Sequence, residues 1–252
     1  METTRQGAAV NARGIGVKGP RGWAFRGVDI TADPGSLIAV QGPSGSGRTC
    51  LLLALTGRMR LTAGAAAVAG FPLPKRMGAV RSRTAVAHVP GVADLEPALT
   101  VAEHLQEQAL LGHRGTPLWG RRRKEATRAL VDAALATAGL DPDTLPKGLR
   151  TCVRDLERLE ALRLSVALAA MHQPRLLAVD DLDLKLSSEE RAAAWQLLRD
   201  VALTGTTVVA VASDAPADAL VVSTAAAATP ETHQPETHEE EAAHAFAETG
   251  RA

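Results

Sequence analysis

Apolar residues in this chain gather into a few short continuous runs, bounded by Gly, Pro and Asp, with longer stretches of helical periodicity between them. From Arg13 to about Ala32 the pattern is short, Gly-punctuated and partly alternating, which predicts a pair of antiparallel strands. The turn Asp33-Pro34-Gly35 leads into 36–40 (SLIAV), a run suited to a buried strand. A Gly-rich loop follows, and then Thr49 to Leu61, which carries Leu51, Leu52, Leu53 and Leu55 and predicts a helix. About 95 to 170 is mainly helical in pattern, most clearly from Ala126 to Leu140, where Gly139 and Asp141-Pro142 close the segment. A second buried strand, Leu176 to Val179, comes after Pro174. A helix from about Ser188 to Leu203 opens with the capping pattern Ser187-Ser188-Glu189-Glu190, and Thr206 to Ala212 is a third apolar strand. No internal repeat at solenoid periods is present.

This order of elements predicts an α/β fold with an antiparallel β portion near the N-terminus and a helical lobe, about 95–170, inserted between two buried strands. Residues 1–224 are expected to form this domain. Residues 225–252, rich in Ala, Glu, Thr, Pro and His, have little to bury and are expected to be a disordered tail.

Composition changes the picture in two ways. Hydrophobic residues make up 46% of the 252 positions and aromatic residues only 2%, with no Tyr, so the core must be packed from Ala, Leu and Val. Formal net charge is zero, and division at Ala225 leaves +5 on the body and −5 on the tail, too mild a balance for a nucleic-acid partner. Cys50 and Cys152 lack paired spacing, and METTRQGAAVNARG has no signal-like apolar run, which reads as a reducing, cytoplasmic setting. No stretch reaches the roughly 18 apolar residues of a spanning helix, so a membrane role calls for a separate partner.

The chemistry concentrates in Gly42-Pro43-Ser44-Gly45-Ser46-Gly47-Arg48-Thr49, which fits G-x-x-x-x-G-K-[ST] except at the Lys. Glycines at 42, 45 and 47 allow positive φ and turn backbone N–H groups inward as an anion nest, and the helix behind adds the positive end of its dipole. An isolated Gly/Ser loop is a flexible turn. This one sits between a buried strand and a helix, the context that phosphate binding demands. Thr49 offers a hydroxyl to Mg²⁺, while Arg48 keeps the charge of a Lys in a wider planar fork that need not reach the same oxygens. Cys50 reads as a small buried residue on the same helix.

With these residues in view, the chain resembles the ATP-binding subunits of ABC transporters across about residues 13 to 214. The resemblance rests on GVDITADPGSLIAVQGPSGSGRTCLLLALTG (27–57), LTVAEHL (99–105) and HQPRLLAVDDLD (172–183), with Arg48 and Asp180 separated by 132 positions. It implies a P-loop core that binds ATP and Mg²⁺ through Gly42, Pro43, Ser44, Gly45, Ser46, Gly47, Arg48, Thr49 and Cys50. Thr49 and Asp180 would then support the metal, and Asp181 stands where the family has its catalytic Glu. Asp181 is one methylene shorter, and a misplacement of about 1 Å can reduce a rate roughly 10²-fold.

Other departures fall on the family's hydrolytic parts. The glycine-containing signature, which in the family faces the γ-phosphate of the opposite subunit, aligns with Leu156-Glu157-Arg158-Leu159-Glu160, whose leucine spacing reads as an ordinary amphipathic helix. The switch His aligns with Ser213, the Gln after the strand Ala85 to Val89 with Gly91, the aspartate of the loop beyond Asp180 and Asp181 near Ser187, and the adenine-stacking aromatic near Gly19, with Trp23 as a displaced substitute. In head-to-tail pairs each composite site would lack several parts, whether the pair is a homodimer or a heterodimer with another ATPase. The expectation is an ATP-binding subunit with weak or absent hydrolysis, bound to an integral membrane permease on the inner face of the cell membrane. The alternative is a non-hydrolysing regulatory or scaffold subunit. A P-loop kinase or GTPase is disfavoured, since no N-K-x-D occurs and the second and third segments would go unexplained. Arg121-Arg122-Arg123-Lys124 reads as a solvated helix start or a contact for headgroups, and His233, His238 and His244 as parts of a soluble tail rather than a metal site.

Overall fold

The computed structural model describes residues 7–112, 121–183 and 185–225. The expected N-terminal hairpin is β1 (Val10–Gly19) and β2 (Gly22–Ala32), antiparallel, with register shifts between Ala12 and Lys18 that bend the ribbon. β1 also pairs with β4 (Ala63–Val68), and β4 with β5 (Phe71–Leu73), which gives a four-stranded antiparallel sheet in the order β2-β1-β4-β5.

The second sheet is parallel and built from β3 (Leu37–Gln41), β6 (Thr84–Ala87), β7 (Leu176–Val179), β8 (Thr207–Val211) and β9 (Leu220–Ser223), in the order β6-β7-β8-β3-β9. Every residue of β7 and β8 is buried, as parallel strands covered on both faces require. The period of two sorts their side chains between two cores. Ile38, Val40, Leu176, Ala178, Val209 and Val211 face the antiparallel sheet and α1 (Arg48–Leu55), of which Leu51, Leu52, Ala54 and Leu55 are fully buried. Leu37, Ala39, Leu177, Val179, Val208 and Ala210 face the helices.

Those helices begin after the short α2 (Met77–Arg81): α3 (Val101–Gly112), α4 (Arg121–Ala138), α5 (Arg158–Ala170) and α6 (Ser188–Leu203). α3 to α5, with three 3₁₀ turns between α4 and α5, form the expected lobe within 95–170. α6 starts in the capping box read from sequence: the Ser187 N–H donates to the Glu190 carboxylate at 2.8 Å, and the Glu190 N–H donates to the Ser187 hydroxyl at 3.2 Å. Trp195 of α6 is buried core, as expected.

Two expectations are corrected. α1 ends at Leu55 rather than Leu61, because the chain reverses at Gly57 (φ 69°) and the Arg58 and Met59 amides fold back onto the Leu53 carbonyl. α5 begins at Arg158, so Leu156 and Glu157 stand outside the helix expected to include them. The tail after Ala225, the three tail histidines and the side chains of Arg121 to Arg123 lie outside the described residues. Among the described residues no helix is long and apolar enough to cross a membrane.

Candidate functional site

The Gly-rich loop leaves the C-terminal end of β3 and enters α1, so the strand end and the helix start fix both of its ends. Gly47 is the N-cap of α1 at φ 81°, and the first backbone bond of the helix runs from the Leu51 N–H to the Gly47 carbonyl at 2.8 Å. No side chain caps this end and no acid occupies the first turn. The amides at the start of α1 therefore have no acceptor within the helix, and the positive end of its dipole is unopposed, which suits an anion. The loop is curled by the Ser46 N–H donating to the Pro43 carbonyl at 3.1 Å. It is backed by β2, since a Cβ on Gly47 would lie 2.3 Å from the Ala24 carbonyl oxygen.

One helical position into α1, Thr49 donates its hydroxyl proton to Asp180 Oδ2 at 2.6 Å, across 131 residues of sequence. Asp180 follows β7, is 2% exposed, and accepts the Asp181 N–H on Oδ1 at 3.1 Å. Burial pushes its carboxyl above the ordinary range, opposed by the Thr49 hydrogen bond and by the charge of Arg48. The pair fits Mg²⁺: a hydroxyl whose proton is committed to a carboxylate keeps its lone pairs for a hard cation, and the charge relieves Asp180 of its desolvation cost. Cys50 is half-buried rather than buried, and burial together with the charge of Asp180 raises its thiol pKa, so it is a neutral neighbour of the loop.

Asp181 is half-buried with φ 44°, a left-handed backbone between two tethered neighbours. The Leu182 N–H donates to the Val211 carbonyl at 2.9 Å. Ser213, at the aligned switch position, is gripped from both sides. Its N–H donates to Asp183 Oδ2 and its carbonyl accepts from Gln41 Nε2, each at 2.9 Å. Asp183 and Gln41 were not singled out by sequence, although both lie within the quoted segments. Their contacts span 30 and 172 residues, which no local spacing marks.

The remaining aligned positions are dispersed. Gly91 donates its N–H to Asp94 at 2.7 Å in the loop after β6. Trp23 lies near the turn that holds Gly19 to Gly22, is 43% exposed, and packs its ring toward Gly16 with the Lys18 ammonium 5.8 Å from the ring centre. Its neighbour Ala24 backs Gly47, so the ring is one residue from the strand contact with the loop. Glu157 caps α5, and the Glu160 carboxylate accepts the Glu157 N–H at 2.8 Å in a capping box. The two helix starts thus differ in kind: α1 is open to an anion, and α5 is closed by its own acids.

A groove of about 730 Å³ separates β6 from the helical lobe. Arg58, Arg81 and Arg83 line it and bond to backbone carbonyls and hydroxyls, and Asp94, Glu96 and Glu107 line it as well, so both signs of charge face the groove. Exposed Val92 and Leu111 give the groove apolar borders.

Comparison with known proteins places these features in one family. The chain matches the ABC transporter family profile over residues 25–182. Among curated relatives it is 31% identical over 182 residues to a Nod factor export ATP-binding protein I of Burkholderia thailandensis, covering 72% of this chain and 55% of that protein. It is 31% identical over 185 residues to ABC transporter G family member 13 of Arabidopsis thaliana, covering 73% of this chain and 26% of that protein. The chain thus spans about half the length of the first relative and about a quarter of the second. Solved structures with the same fold include the ATP-binding cassette MJ0796 as a dimer bound to ADP and Pi, with TM-score 0.63, 21% identity, and coverage of 81% of this chain and 88% of that one. CbiO1 of Clostridium perfringens, part of the cbiONQ transporter complex, superimposes with TM-score 0.66 and 18% identity, covering 81% and 78% of the two chains. With a profile match over most of its length and a P-loop core of the cassette type, this chain belongs to the ABC transporter family.

Proposed function

We propose that the chain is the ATP-binding subunit of a membrane transport complex and that it binds Mg-ATP with weak or absent hydrolysis. The observation that carries this reading is the uncapped start of α1 behind Gly42 to Gly47, coupled to the Thr49–Asp180 pair. The loop amides and Arg48 would hold the phosphates, and Thr49 and Asp180 would hold Mg²⁺, which neutralises phosphate charge when bound. Gly42, Pro43, Ser44, Gly45 and Ser46 shape the cradle, and Cys50 supplies an amide in the first turn.

Weak hydrolysis follows from the groups around that cradle. Asp181 is short for a base that must reach an attacking water, and Ser213 carries a hydroxyl, tethered through its backbone, where a switch His would act. In a head-to-tail pair, the capped acids Glu157 and Glu160 would face the partner's polyphosphate in place of open amides. The groove beside β6, lined by charges of both signs and with apolar borders, is the surface we assign to an amphipathic segment of an integral membrane permease. Such a chain would sit peripherally on the inner face of the cell membrane, in a homodimer or with a second ATPase.

The acid-capped start of α5 also supports a second reading, a non-hydrolysing regulatory or scaffold subunit. Calorimetry with Mg-ATP and turnover measured with the permease present separate the possibilities. Binding heat at millimolar nucleotide is expected; its absence from folded protein refutes the first reading. Binding with nucleotide-dependent transport by the complex supports the first reading, and binding with neither turnover nor transport favours the regulatory one.

A further inference from the structure

We propose that Thr224 is a positioning residue of the phosphate loop, a role that rests on the nucleotide-binding reading above. Thr224 directly follows β9, 178 residues from Ser46, yet the two hydroxyl oxygens are 2.6 Å apart. The Thr224 hydroxyl donates to the Gln41 carbonyl at 3.3 Å, and its N–H donates to the same carbonyl at 2.9 Å. A hydroxyl has one proton. With Thr224 donating to Gln41, the short contact is Ser46 donating to Thr224, and the chain of bonds runs from the loop through Thr224 to the residue that precedes Gly42.

Three consequences follow from this relay. Ser46 is left with lone pairs alone, so its side chain does not donate to phosphate and the backbone amides keep that role. Gln41 and Ser46, the two shoulders of the loop, are held by one side chain. The fit at the first glycine is close as well: a Cβ on Gly42 would lie 2.4 Å from Thr224 Oγ1 and 2.6 Å from Ser46 Oγ. Thr224 is 4% exposed, so its hydroxyl has no water to replace these partners. A residue just past β9 thereby holds the curvature of a loop formed near the start of the chain.

The test uses the full chain with Thr224→Val, which keeps the shape and removes the hydroxyl, and Thr224→Ser, which keeps the hydroxyl. Amide exchange at 42–47 is followed without nucleotide, Mg-ADP affinity is measured by calorimetry, and melting is recorded for each variant. Thr224→Val is expected to speed loop exchange and weaken Mg-ADP about three- to ten-fold, as loss of one hydrogen bond implies. Thr224→Ser restores both. Ser46→Ala combined with Thr224→Val adds little beyond either change alone, because both break one relay. If the wild type binds no Mg-ADP, the nucleotide reading falls and loop exchange alone decides this inference. Unchanged exchange in Thr224→Val overturns it, even if melting drops, as does a Thr224→Ser variant that behaves like Thr224→Val.

Discussion

Replacing two glycines of the loop between β3 and α1 separates backbone strain from strand contact. Gly45 and Gly47 have nearly the same conformation, φ 79° and 81°, so Ala at either position pays the same left-handed penalty of about 1–2 kcal/mol. Their surroundings differ. A Cβ at 45 meets nothing within 4 Å, whereas one at 47 would lie 2.3 Å from the Ala24 oxygen and 2.6 Å from the Ala24 carbonyl carbon. Both atoms are backbone near the start of β2, so relief requires moving the strand or the loop, which adds about 1–3 kcal/mol as overpacking does elsewhere. Gly47→Ala is therefore expected to be less stable than Gly45→Ala by about 1–3 kcal/mol, with a melting difference of roughly 2–4 °C per kcal/mol in a domain of this size. Urea unfolding of both variants reads the gap directly. Mg-ATP affinity should fall further in Gly47→Ala because the displaced residue caps α1. Stabilities within about 0.5 kcal/mol of each other would refute the claim that β2 braces the loop.

Asp180→Asn should gain stability relative to wild type as pH rises, in metal-free buffer. The native carboxyl holds its proton more tightly than the unfolded one, whose ordinary value is 3.8, so wild-type stability falls as pH rises from that value through the raised native pKa. Denaturation midpoints that run parallel from pH 4 to 7 would contradict this. Arg48→Lys, Asp181→Glu or Ser213→His alone should barely raise turnover with the permease present, because groups that act as a unit are non-additive; only their combination with a glycine-containing 156–160 should do so. A wild-type rate of about 1 s⁻¹ or faster would contradict the reading of a weak hydrolase. Arg199→Ala, which breaks a bidentate pair with Asp218 at 2.7 and 2.9 Å, should lower the melting temperature only slightly, less at high salt, because both side chains are partly in water. Deletion of 226–252 should leave the melting temperature within a few degrees of the full chain, and a larger drop would mean that the tail packs.

Much of the parallel sheet was legible because β3, β7 and β8 are uninterrupted apolar runs bounded by Gly, Pro or Asp, and their burial on both faces removes any polar alternation that would confuse the pattern. The loop was legible for the same reason: glycines between such a strand and a leucine-rich helix carry few other meanings. β4 was not, since AGAAAV is poor in β-branched residues and becomes a strand only through its pairing with β1. The end of α1 was overrun because leucine spacing continues in the sequence past a glycine whose positive φ stops the helix. At the site, Thr49 and Asp180 follow from a motif, while Gln41, Asp183 and Thr224 act through contacts with residues remote in sequence. The start of α5 is hidden in the sequence because Leu156 continues the leucine spacing, whereas Glu157 as cap and Glu160 three residues on place the boundary.

Among the described residues β9 pairs with β3 alone and leaves Leu220 and Val221 exposed at the rim of the parallel sheet. An apolar strand with one row of amides and carbonyls unpaired by its sheet invites a second copy to continue the ladder. The sequence that follows it carries six glutamates and one arginine in 226–252. Like charge at that density acts as a gatekeeper, because two rims brought together would also bring two blocks of net −5 together. The expected consequence concerns solubility rather than folding: charge repulsion between two such segments would oppose pairing of two rims. Its protection should weaken in concentrated salt or below about pH 4, where glutamates lose their charge.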